Sequence, residues 1–181
     1  NLDIFVQLII NSLIAGSIYA LVASGFSLIY SANKYLHLAH GVSVALGGYL
    51  VFWLFNQVGL NFYLSSLITI IIMGFFGVGM YRLFYLPLQN KKSSNVILLI
   101  ASLGILILFQ NILQILFGAN VEEIGFLEVR KGINFLGASI TPLQIFIIIV
   151  SFVLFISLYL FMKYTKLGRN MRAVSDNKEL A

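Results

Sequence analysis

Residues 35–81 read YLHLAHGVSVALGGYLVFWLFNQVGLNFYLSSLITIIIMGFFGVGMY and contain no Asp, Glu, Lys or Arg. A helix crossing the hydrocarbon core of a bilayer needs about 20 mostly apolar residues, so this stretch is long enough for two crossings. Its only polar, glycine-containing cluster, Asn56-Gln57-Val58-Gly59-Leu60-Asn61, is where a turn between them belongs. Three further uncharged stretches, 4–33, 93–121 and 132–162, each suffice for one crossing. Lipid offers the backbone no hydrogen-bond partners, so only helices or closed barrels span it. The runs are continuous and rich in Leu, Ile and Phe rather than alternating, which selects helices. The expected spans are 4–30, 38–56, 62–82, 95–117 and 142–162. The fold class is therefore all-α: a polytopic integral membrane helix bundle of about five transmembrane helices, with 1–181 as a single transmembrane domain.

Composition agrees with that reading. Hydrophobic residues make up 60% of the chain and charged residues 9%, with a mean hydropathy of +1.00; soluble domains carry roughly 25% charged residues. The net charge of +5 does not indicate nucleic acid, because the basic residues mostly flank spans, where topology explains them. The absence of cysteine excludes disulfides and thiolate metal sites. The first three residues carry no basic segment of the kind that opens a signal peptide.

Orientation follows from Lys and Arg in the short connections. Arg82, Lys91 and Lys92 follow the third span, and Lys163, Lys166, Arg169, Arg172 and Lys178 follow the fifth; both segments are expected inside, as is Lys34 after the first span. The connection between the fourth and fifth spans holds Glu122, Glu123, Glu128, Arg130 and Lys131 and is expected outside. These assignments agree on an N-terminus outside and a C-terminus inside.

Within the first span Ser12, Gly16, Ala20 and Ser24 recur every fourth residue, a small-residue stripe of the kind that lets helices pack closely in lipid. Polar amides are the other interior signal. Asn11 lies roughly 12 Å from the outer end of span one at 1.5 Å per residue, and Gln110, Asn111 and Gln114 lie at similar or shallower depth in span four. Such amides either hydrogen-bond across helices or line a polar route opening outwards. His37 and His40 are three residues apart, but no carboxylate or third histidine stands near them in sequence. A metal site needs three or four protein ligands, so they read as a structural turn, and a membrane-embedded enzyme built on them lacks its reacting groups. No catalytic, cofactor or metal set emerges, and no span carries an Asp or Glu to run a proton relay.

Several motifs together carry a family resemblance. Thr165-Lys166-Leu167-Gly168-Arg169-Asn170-Met171-Arg172-Ala173-Val174 resembles the cytoplasmic loop of bacterial permeases for branched-chain amino acids in ATP-driven importers. Gly16-Ser17-Ile18-Tyr19-Ala20-Leu21 and Ala39-His40-Gly41 resemble that family's N-terminal signature, and Ala101-Ser102-Leu103-Gly104, Gln110-Asn111 and Phe117-Gly118 its fourth-span pattern. His37-Leu38 stands where the family usually has Asn-Phe, and Val42 where it often has an acidic residue, so no detailed role is carried to His40.

The resemblance implies a permease subunit, not an enzyme, in a bacterial inner membrane. It implies a second permease subunit, two ATP-binding subunits and an extracytoplasmic binding protein as partners, with no nucleic acid and no cofactor. The segment 163–181 is then the start of a cytoplasmic coupling region, with Thr165, Gly168, Arg169, Arg172 and Ala173 as residues that meet the ATPase. Permeases for urea or other small polar solutes are close relatives, and an ATP-independent channel or carrier would have the same helices. Asp176-Asn177-Lys178-Glu179 reads as a capping box opening a further helix, and the chain reads as the N-terminal part of a longer permease. Reporter fusions at the two termini are expected on opposite faces of the membrane, the N-terminal one outside; both on one side would refute an odd number of crossings.

Overall fold

The structure, a computed structural model, describes residues 2–118, 124–125, 133–135 and 138–176. Helix α1 (Leu2–Asn33) is followed by α2 (His40–Phe52), which runs on into a π-helical turn, Trp53–Gln57. Helix α3 (Phe62–Met80) continues through a second π-turn, Tyr81–Tyr85, into the short α4 (Leu86–Asn90). Then come α5 (Asn95–Phe117), the strands β1 (Ile133–Phe135) and β2 (Ala138–Ile140), α6 (Pro142–Tyr164) and α7 (Lys166–Asp176). The charged part of the connection after α5, including Glu122, Glu123, Glu128, Arg130 and Lys131, lies outside the described residues.

Among the described residues four helical runs are long and apolar enough to cross a membrane: Ile4–Asn33, Phe62–Asn90, Asn95–Phe117 and Pro142–Tyr164. The remaining expected crossing is the short one. Its 13 residues of α2 and 5 of the π-turn extend about 27 Å at 1.5 Å per residue. It begins at His40 and ends in Asn56-Gln57, so its apolar centre is shorter than those of the others.

Local chemistry sets the ends of these helices. In the π-turn the Val58 N–H reaches back to the Trp53 carbonyl (3.1 Å). Gly59, at φ +77°, then turns the chain out of the helix, a left-handed backbone that glycine adopts without a Cβ penalty. Asn61 caps α3, its side chain accepting from the Tyr63 N–H at 2.9 Å. Helix α6 opens on a full capping box, Thr141 with Gln144, and with Pro142 in its first turn.

The chain divides into two compact sets of residues. The first, drawn from 1–33 and 127–181, contains α1, the hairpin, α6 and α7. Here α6 packs along α1, and α7 packs on both. The hairpin is antiparallel, with Ile133 opposite Ile140 and Phe135 opposite Ala138. One side chain ties it to α1. The Gln7 amide accepts from the Ser139 N–H (2.8 Å) and donates to the Ser139 carbonyl (3.2 Å).

The second set, 34–126, packs α2 against both α3 and α5. Its buried cluster joins Tyr35, Ala39 and Val42 to Met80, Tyr85, Leu98, Ile105 and Leu113. Small polar side chains are buried as well, Ser65 and Ser102 both 0% exposed, while large apolar ones stand outside, Phe75 at 75% and Ile115 at 82% exposed. Apolar side chains on the outside suit a solvent of lipid tails, and small buried residues allow the close backbone approach that packs helices there.

The connection 34–39 is knitted into this core. The Tyr35 ring stacks on Tyr85 (4.9 Å, 26°), His37 Nδ1 lies 2.7 Å from the Tyr85 hydroxyl, and the Ala39 N–H donates to Ser102 Oγ at 3.0 Å. Ser102 also hydrogen-bonds Tyr85. Removing a hydroxyl that satisfies a buried N–H costs about 1–3 kcal/mol. Ser102→Ala should lower stability by that amount in detergent unfolding. Ser94→Ala, which loses no capping bond, should change it by less than about 0.5 kcal/mol; equal effects would deny the node its role.

Candidate functional site

Two polar features stand out, one in each set. In the first set they gather where α6 gives way to α7. Thr165 joins the two helices. Its N–H donates to the Phe161 carbonyl (3.1 Å) and its carbonyl accepts from the Arg169 N–H (3.1 Å). Its hydroxyl donates to the Phe161 carbonyl (2.7 Å) and accepts from the Gly168 N–H (3.0 Å). One residue thus closes α6 and caps α7. Gly168 is buried and Met171, one turn on, is half-buried, whereas Arg169, Arg172 and Ala173 are exposed. Arg172 reaches back to donate to the Lys163 carbonyl at 3.3 Å. The Lys163 ammonium sits over the rings of Tyr159 (5.5 Å) and Tyr164 (5.4 Å), an arrangement worth roughly 0.5–1 kcal/mol at an exposed site.

The five residues expected to meet an ATPase therefore fall in or beside one short helix, with Gly168 turned inwards and the arginines outwards. Asp176, expected to open a helix, is the last described residue of α7, which Thr165 caps eleven residues upstream; Asn177, Lys178 and Glu179 of that expected capping box lie outside the described residues.

In the second set Gln110 and Gln114 line a groove of about 360 Å³ between α2 and α5, opposite Gly41, Ala45 and Tyr49. Their spacing puts both amides on one helical face. Asn111 bonds its own helix instead, donating to the Ile107 carbonyl at 2.7 Å. Asn11, in the first set, accepts from Gln7 at 3.1 Å. Of the small-residue stripe, Ser12, Gly16 and Ala20 are exposed, a Cβ on Gly16 would meet nothing within 4 Å, and Ser24 lines a groove of about 560 Å³ between α1 and α6.

Residues 8–181 match the protein family described as branched-chain amino acid transport system, permease component. The chain belongs to that family. It is 30% identical, over 98% of its length, to the high-affinity branched-chain amino acid transport system permease protein LivH of Salmonella typhimurium. It is 29% identical over 98% to LivH of Escherichia coli K12, and 28% identical over 97% to the permease protein BraD of Pseudomonas aeruginosa. The chain spans 61% of the length of these curated relatives. No solved structure matches it.

Gln7, which clamps the hairpin, carries no signal in the sequence: its partner is 132 residues away. His37, read as part of a turn, proves to be a buried hydrogen-bond partner of Tyr85. Burial disfavours the charged imidazole, with His40 nearby adding to the effect, so the His37 pKa is lowered from 6.5 to about 4. As pH falls through 6.5 the unfolded chain takes up a proton that the folded connection refuses until about 4. The stability His37 contributes is therefore full above 6.5 and declines between 6.5 and 4. In a histidine NMR titration the His37 ring should still be neutral at about pH 5.5; a charged ring there would contradict the buried pairing.

Proposed function

We propose that this chain is a transmembrane subunit of an ATP-driven importer for branched-chain amino acids in a bacterial inner membrane. Its N-terminus faces outwards and α7 lies at the inner face. A binding protein delivers the solute outside, a second permease subunit completes the path, and two ATP-binding subunits engage α7. The observation that carries this reading is α7 itself: a polar, amphipathic helix bearing Lys166, Arg169 and Arg172, tied by backbone and side-chain hydrogen bonds to the end of an apolar helix.

Family membership and the names of the relatives support branched-chain amino acids as the solute class. Basic residues near a membrane surface gain about 1 kcal/mol each from anionic lipid, which would hold α7 at the inner face while leaving its exposed edge for a protein partner. The groove bearing Gln110 and Gln114 supports a polar route beside α2, because uncharged amides hydrogen-bond a passing solute without the cost of an intramembrane charge.

Two measurements on the reconstituted transporter test the reading. Replacing Arg169 and Arg172 together by Gln should lower uptake of labelled leucine roughly tenfold, an ordinary coupling free energy, with membrane insertion retained. Undiminished ATP-coupled uptake would reject α7 as the handle. Excess unlabelled isoleucine should compete and urea should not; the opposite pattern would reassign the solute.

A further inference from the structure

The elbow between α6 and α7 is closely tied by hydrogen bonds and by backbone contact. All four polar functions of Thr165 are engaged: N–H, carbonyl, hydroxyl donor and hydroxyl acceptor. The first turn of α7 also presses onto the last turns of α6. A Cβ on Gly168 would lie 2.5 Å from the Met162 carbonyl oxygen, 2.6 Å from its Cα and 2.7 Å from its carbonyl carbon, all closer than the 3.0 Å that real Cβ atoms respect. These are backbone atoms, which cannot swing aside as a flexible side-chain tip does.

Gly168 has no positive φ, so the backbone conformation makes no demand for glycine. Alanine would favour the helix there by about 1 kcal/mol. Space, rather than backbone conformation, calls for glycine at this position. Arg172, one turn beyond, adds a second tie through its bond to the Lys163 carbonyl.

We propose that the Thr165–Gly168 elbow makes α6 and α7 one lever, so that displacement imposed on α7 by nucleotide-driven motion of its partner reaches the membrane-crossing helix α6 undiminished. Gly168 and Thr165 are positioning residues: they touch no solute and fix the angle at which the exposed arginines are presented. The proposal rests on the ATP-driven reading above. Within it, the elbow replaces a general role for small residues with a specific mechanical one. A loose joint would let α7 pivot and dissipate the stroke.

The test uses the assembled transporter in vesicles, with leucine uptake and ATP hydrolysis measured together. Gly168→Ala should raise the ATP hydrolysed per leucine taken up roughly tenfold, again an ordinary coupling free energy. Thr165→Ala should move the same ratio in the same direction, and Thr165→Ser, which keeps the hydroxyl, should restore it. These 181 residues contain no cysteine, and in a transporter whose remaining cysteines are replaced by serine, spin labels at Ser157→Cys and Ala173→Cys report the elbow directly. Their distance distribution should shift and broaden in Gly168→Ala.

An unchanged ratio with an unchanged distribution would overturn the lever while leaving the importer reading intact. If Gly168→Ala fails to assemble, the Thr165 pair decides: full coupling in Thr165→Ala overturns the proposal. Leucine uptake that needs no nucleotide in the unmodified transporter would instead remove the reading beneath it.

Discussion

A peptide group in lipid has no water to turn to, and an unpaired N–H or C=O there costs several kcal/mol. That constraint orders nearly everything in this chain. It makes each uncharged run a helix, and it crowds the irregular backbone into a few places where side chains or glycine can satisfy or relieve it. Thr141 with Gln144, Asn61, Gly59 and Thr165 stand at helix ends because each supplies a partner or a turn that the backbone lacks there.

The same constraint sets what lies between the helices. Lipid tails are as apolar as leucine, so burying leucine gains little; contact and hydrogen bonding must hold the helices instead. Buried Ser102 receiving the Ala39 N–H, and Tyr85 engaging both His37 and Tyr35, are the local answer. They fix the connection 34–39, and burial there, with His40 nearby, keeps the His37 imidazole uncharged below its ordinary pKa. At the far end of α6 the answer is different in detail and alike in kind. There, one hydroxyl and one missing methyl join two helices of opposite character, one apolar and one cationic.

Much of this was legible in the residues. Charge clusters separate the spans because a charge inside lipid is expensive, and the turn at Asn56–Asn61 was visible because it is the only polar glycine-bearing interruption in a long apolar run. The segment from Thr165 announced itself by its order as well as its basicity. What was hidden depends on tertiary partners. Gln7 meets Ser139 and Ala39 meets Ser102 across separations of 132 and 63 residues, and no local pattern marks such pairs. The two π-turns, Trp53–Gln57 and Tyr81–Tyr85, carry no local pattern that separates them from the α-helices they continue. The value of Gly168 as space shows only when Met162 is folded against it.

If α7 is the handle of an importer, nucleotide energy applied on its side moves solute through the membrane. The direct measurement is accumulation of labelled leucine in vesicles containing the complete transporter and its binding protein, with ATP confined to the face that carries α7. Leucine should concentrate on that face above its level on the other, and the gradient should collapse when ATP is replaced by a non-hydrolysable analogue. Equilibration of leucine to equal concentrations, at the same rate with and without ATP, would contradict the importer reading.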